Sequence, residues 1–192
     1  MKTIVGFLSR NHGLEVLYSL IKLDNYKILK ILTHSKLPSS ENPLRPMRDE
    51  FKIFQKICNQ NCIPLEIVDS KFNNNYDIPK CDFIIEISWR YLIPKEILKN
   101  AKIASFGIHR GKLPEYAGPE PIKQAIINSE NELVISSHLL ENEIDAGETL
   151  FSKNHKINYD KNSTLENNIS RLKQEITPYF SELVITTLNK FK

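Results

Sequence analysis

The stretch Ala104-Ser-Phe-Gly-Ile-His-Arg-Gly-Lys-Leu-Pro-Glu-Tyr-Ala-Gly-Pro-Glu-Pro-Ile122 decides the fold. Ile103, Ala104 and Phe106 are apolar and close together, which starts the stretch as a strand. Gly107, His109 and Gly111 then follow, and the strand ends there. A loop punctuated by glycine and proline leads to a helix that begins near Pro121, with Ile122, Ala125 and Ile126 on one face. A histidine just past the C-terminal end of a strand sits where open α/β sheets place their ligands. A second segment, Ser137-His-Leu-Leu-Glu-Asn-Glu-Ile-Asp-Ala-Gly147, completes the constellation. A strand over Leu133 to Leu140 runs into an acidic loop that carries Asp145 and turns at Gly147.

Working outward, Thr3 to Leu8 is a continuous apolar run, the pattern of a strand buried on both faces of a parallel sheet. Ser9-Arg-Asn-His-Gly13 turns into a helix with Leu14, Leu17, Tyr18 and Ile21 on one side. Tyr26 to Thr33 is a second strand. The loop from His34 onward holds Pro38, Pro43 and Pro46, and Lys36, Arg45 and Arg48 make it positive. It serves either a substrate phosphate or a solvated face. Met47, Phe51, Phe54 and Ile57 recur at helical period, Ile63 to Val68 is a third strand, and Phe72 to Asp77 is a polar loop. Cys81 to Ser88 is the fourth strand, followed by Trp89-Arg-Tyr-Leu-Ile-Pro94 and a short helix through Ile97 and Leu98. Thr149 to His155 reads as another strand, with an antiparallel place at the edge as the expectation. Ser163-Thr-Leu-Glu166 has the form of a capping box and opens a helix with Leu165, Ile169 and Leu172, which Pro178 breaks. Strands alternating with helical runs give an α/β fold, a doubly wound and mostly parallel sheet in a single domain over 1–192, with a helical segment from about 163–192.

Composition bounds the function. The chain has 192 residues, 41% of them hydrophobic and 26% charged, ordinary values for a globular protein. A net charge of +3 without a dense basic run gives no argument for nucleic acid. Cys58, Cys62 and Cys81 are an odd number without metal spacing, so buried thiols are expected and no metal. No leader-like segment precedes the first strand, and no apolar run reaches about 18 residues. The expectation is a cytoplasmic protein with no membrane partner. Oligomeric state is not readable. His12, His34 and His155 belong to no motif and read as surface or turn residues.

Gly107-Ile-His109, Leu113-Pro-Glu-Tyr-Ala-Gly-Pro-Glu-Pro-Ile122, His138 and Ile144-Asp-Ala-Gly147 together resemble the folate-dependent formyltransferase family. The family pattern is Asn-x-His, Leu-Pro-x-Tyr-x-Gly-x-x-Pro-Ile, a strand with His, then Ile-Asp-x-Gly. The resemblance is specific over 102–150. It implies a Rossmann-like formyltransferase fold, 10-formyltetrahydrofolate as co-substrate, and a small-molecule amine as acceptor. It gives His109 the proton-transfer and oxyanion-donor role and Asp145 the carboxylate role. Tyr91, Leu92 and Ile93, with Leu140 and Glu143, fall where the family binds the folate. Arg10, Asn11, Gly107 and Arg110 are the candidate substrate-binding residues.

The resemblance disfavours glycinamide ribonucleotide, because the phosphate turn after the first strand keeps only Gly13. It disfavours methionyl-tRNA, because the C-terminal barrel and basic patch of the tRNA-specific enzymes have no counterpart. An amino sugar or amino-acid derivative remains. One departure is central. The family's catalytic asparagine falls on Gly107, which has no side-chain donor, and a positive φ there would strain any replacement. Two readings stand: a formyltransferase in which another donor serves, or a divergent member that binds a folate or related ligand or hydrolyses a formyl or carbonyl substrate.

Overall fold

Ile4, Val5, Phe7 and Leu8 have no exposed surface on β1 (Lys2–Leu8), and this strand is the axis of the first half of the chain in the computed structural model. The structure describes residues 1–70 and 76–191; most of the expected Phe72 to Asp77 loop lies outside them. The chain divides into two compact units, Met1–Ser105 and Phe106–Lys192.

In the first unit β1 is flanked by β2 (Tyr26–Thr33) and β4 (Cys81–Ile87), and β3 (Leu65–Ile67) lies outside β2. All three pairings are parallel, with Gly6 opposite Ile31 on one side and Ile85 on the other. The order β3-β2-β1-β4 reverses at β1, the arrangement of a doubly wound sheet with its crevice at the C-terminal ends of β1 and β4. The helices are α1 (Arg10–Leu20), α2 (Asp49–Gln60) and the short α3 (Lys95–Leu98). Val16, Leu17 and Leu20 of α1 and Phe51, Phe54 and Ile57 of α2 are buried. Each such side chain contributes about 1.5–3 kcal/mol.

Several expectations shift here. The third strand shrinks to three residues because Ile63 N–H bonds Cys58 O at the end of α2, while Pro64 contributes only its carbonyl, to Ile31 N–H. Met47 precedes α2, 54% exposed, in a bridge with Lys36. His12 and His34 are buried, not surface residues, at 4% and 1% exposure. Arg48 belongs to no solvated face: it is 3% exposed and its Nη1 donates to Ser9 Oγ at 2.6 Å.

In the second unit β6 (Glu132–Leu139) pairs antiparallel with β5 (Ala101–His109) and with β7 (Thr149–Lys156). The unit boundary thus falls inside β5. β5 continues through Gly107 and ends at His109, within the stretch where the strand is expected to end. α4 (Pro121–Ile127) starts at the expected proline. α5 (Leu165–Glu175) is capped one residue later than the capping-box form suggests: Thr164 Oγ1, not Ser163, accepts from Asn167 N–H at 3.1 Å. That places Glu166 in the first turn, where a carboxylate suits the helix dipole. α6 (Thr177–Lys190) takes Pro178 into its first turn, which needs no N–H there. Phe180, Leu183, Val184 and Leu188 are buried as their spacing requires. Among the described residues no helix is long and apolar enough to cross a membrane.

Candidate active site

Alternation along β5 sends Phe106 and Ile108 to one face and Gly107 and His109 to the other. Gly107 lies directly opposite His138 on β6, and His109 opposite Ser136. Directly opposed residues of an antiparallel pair share a face, so Gly107, His109 and His138 belong to one layer. The β6–β7 register shifts between Ser137 and His138, leaving Leu150 as the extra residue. Such a bulge re-aims the side chains beside it.

Two turns bring the remaining groups. The first follows His109: Gly118, at φ 86°, donates its N–H to Asp145 Oδ2 at 2.9 Å, and Tyr116 O lies 2.7 Å from His109 Nε2. The second follows β6: Asp145 itself is held at φ 55°, and Leu139 N–H bonds Glu148 O. Gly147 is required there, because a Cβ would lie 1.9 Å from Leu139 O.

The result is one carboxylate between two imidazoles. Asp145 Oδ2 is 3.2 Å from His109 Nδ1, and Asp145 Oδ1 is 3.5 Å from His138 Nε2. His109 and Asp145 keep 10% and 14% side-chain exposure, whereas His138 is 2% exposed. Burial lowers the pKa of both imidazoles, and Asp145 opposes that shift in each. The Tyr116 carbonyl also supports a charged His109, while Arg110 disfavours it. His109 is therefore a half-buried base with an acceptor on each nitrogen: its neutral ring can satisfy one of them, its cation both. That balance suits a group that takes up and releases a proton.

The sequence-predicted residues separate clearly. His109, Asp145 and Gly107 come together in the second unit. Arg110 turns instead into a cavity of about 210 Å³ that Gly111, Lys112 and Tyr116 also line. Leu140 is half-buried and Glu143 exposed. In the first unit Asn11 is exposed, and Arg10, at φ 62°, is ion-paired with Glu41. Leu92 is 47% exposed and Ile93 buried, and the Tyr91 ring meets His34 edge-on with 5.3 Å between centroids. Trp89 stacks on His34 at 4.0 Å and packs edge-on against Phe7. Trp89 Nε1 and Arg90 Nε are buried with no hydrogen-bond partner among the described residues, two donors on the loop that follows β4.

Sequence reasoning missed the Tyr116 carbonyl and the Gly118 N–H, since a backbone group carries no residue signature. It named Arg48 but not its burial, which, with Arg10 and Arg90 nearby, pushes its pKa down to about 10.

A family model described as formyl transferase matches residues 28–180. The chain belongs to the formyl transferase family. It is 26% identical over 166 residues to a methionyl-tRNA formyltransferase of Thermodesulfovibrio yellowstonii, covering 86% of this chain and 52% of that protein. The chain thus spans about half the length of that relative. Among solved structures, the phosphoribosylglycinamide formyltransferase of Streptococcus pneumoniae superposes with a TM-score of 0.67 at 14% identity, covering 98% of this chain and 99% of that one. WlaRD, a sugar 3N-formyl transferase solved in the presence of dTDP and 5-N-formyl-THF, gives 0.65 at 19% identity, over 99% of this chain and 64% of that one. At these identities the superpositions show the fold, and it is the doubly wound, mostly parallel α/β fold of formyltransferases.

Proposed function

We propose that this formyltransferase-family chain moves a formyl group from 10-formyltetrahydrofolate to an amine. The observation that carries the reading is the His109–Asp145 pair, 3.2 Å apart, with the Gly118 N–H on the same carboxylate oxygen. In the reaction the amine nitrogen forms a bond to the formyl carbon and the bond from that carbon to N10 breaks. One proton leaves the amine and one reaches N10, so a single buried acid–base unit serves both steps. Tyr91, Leu92 and Ile93, on the loop after β4, are proposed to bind the carrier. The partnerless donors on Trp89 and Arg90 fit a polar-edged heterocycle, which needs a few fixed donors beside apolar walls. Gly107, on the layer of His109 and His138, is proposed to face the acceptor, an amino sugar or amino-acid derivative.

Gly107 favours a second reading, in which water is the acceptor and formate and tetrahydrofolate are the products, or in which the carrier binds without turnover. Incubation with 10-formyltetrahydrofolate and a panel of amines, a tRNA-linked one included, separates them. Mass spectrometry of a formylated amine, lost in His109→Ala, supports transfer. Formate without a formylated amine supports hydrolysis, and saturable binding without either product supports the binding role.

A further inference from the structure

The tautomers of the two imidazoles are set by backbone carbonyls. His138 Nδ1 lies 2.9 Å from Leu139 O, which can only accept, so the hydrogen sits on Nδ1. In the neutral ring Nε2 then presents a lone pair, and it is turned toward Asp145 Oδ1 at 3.5 Å. His109 faces acceptors on both sides, Tyr116 O at 2.7 Å from Nε2 and Asp145 Oδ2 at 3.2 Å from Nδ1; with the hydrogen on the nearer side, Nε2, Nδ1 presents its lone pair to Oδ2. Two neutral rings would thus aim two lone pairs at one carboxylate. Oδ2 has the Gly118 N–H as an additional donor, but Oδ1 has only the buried His138 edge turned to it among the contacts described. An acceptor facing an acceptor in a buried place is costly unless a proton lies between them.

We infer that His138 is a positioning residue that stores a proton across Asp145 from His109, so that the three groups hold and release it as one unit. The inference rests on the formyl-transfer reading for its use, though not for its geometry. During transfer the proton leaving the amine enters this unit, and the same proton leaves it for N10, so the unit returns to its starting state. Gly107, opposite His138, has no side chain to bring a polar hydrogen to this layer, so His138 is the titratable neighbour of Asp145 besides His109. The charged and titratable groups around the unit are its own three members and Arg110, which acts on His109.

The test reads the unit directly and its chemistry separately. Side-chain ¹⁵N NMR of the full chain from about pH 5 to 9 is expected to show His138 with hydrogen on Nδ1, and His109 and His138 titrating in two linked steps. His138→Gln keeps an amide donor but cannot titrate. In that variant His109 is expected to titrate in a single step at a moved midpoint. Where formyl transfer is measurable, kcat of His138→Gln is expected to fall about 10²-fold, the low end for a group that handles a proton. KM should change little, and one limb of the pH profile should disappear. An unchanged His109 titration in His138→Gln, or His138 carrying its hydrogen on Nε2 alone, overturns the proposal. The wild-type tautomer decides the matter if the variant fails to fold. Absence of transfer to every amine would sink the formyltransferase reading while leaving the NMR result to judge the proton unit.

Discussion

At residue 107 the backbone is that of a strand, and Gly118 is the glycine with positive φ. The strain considered from the sequence is therefore not what holds glycine there. If the missing amide is the only defect of the site, Gly107→Asn should raise the transfer rate by roughly 10²–10³, about 2.7–4 kcal/mol, the worth of one oxyanion donor. A folded variant with no gain on any amine in the panel would show that donor chemistry at this position is not limiting. His34 makes a second prediction. Burial above all, with Arg90 and Arg48 nearby, lowers its pKa to about 3, against the pull of the Val68 carbonyl. Below its unfolded value of 6.5 the unfolded chain binds a proton that the folded chain refuses. Its share of stability is then lost as pH falls, by about 1.4 kcal/mol per unit, and is constant above that value. Urea titrations of wild type and His34→Phe should show the acid slope reduced in the variant; equal slopes would contradict the assignment.

The two glycine turns act at the scale of elements, and they fail for different reasons. A Cβ on Gly147 would meet the Leu139 backbone, which cannot rotate away. Gly147→Ala should therefore push the Asp145 turn off the end of β6, at about 1–3 kcal/mol, with loss of activity beyond the loss of stability. Gly118 has open space around its Cβ position but φ 86°. Gly118→Ala should cost about 1–2 kcal/mol in backbone strain, with Asp145 nearer its place. Thermal melts paired with the transfer assay check both, and equal activity loss in the two would argue against a steric cause at Gly147. The helices teach a related lesson. The Pro178 break was readable because a missing N–H is a covalent fact. The cap moved from Ser163 to Thr164 because which hydroxyl meets an N–H depends on where the helix starts. The strand end falls within the expected Gly107 to Gly111 stretch, and cross-strand pairing of Gly107 with His138 and of His109 with Ser136 sets it at His109.

For the whole molecule, ligand binding is the simplest global readout. Added 5-formyltetrahydrofolate at about 100 times its Kd contributes near 2.7 kcal/mol, which for a chain of this size is a rise in Tm of roughly 5–10 °C. No shift at millimolar concentration would speak against the proposed carrier. The sequence by itself determined the alternation of strands and helices, the α/β class, the family, and the candidacy of His109 and Asp145. These rest on local periodicity and on motifs whose residues are close in the chain. The tertiary structure alone decided that Asp145 stands between two imidazoles, that Tyr116 O and Leu139 O lie against their other nitrogens, and that His34 and Arg48 are buried. The physical reason is that burial and hydrogen-bond partnership depend on what packs against a residue from elsewhere. His138 is 29 residues from His109 in the chain and faces the same carboxylate, because antiparallel pairing sets the register that no local pattern records.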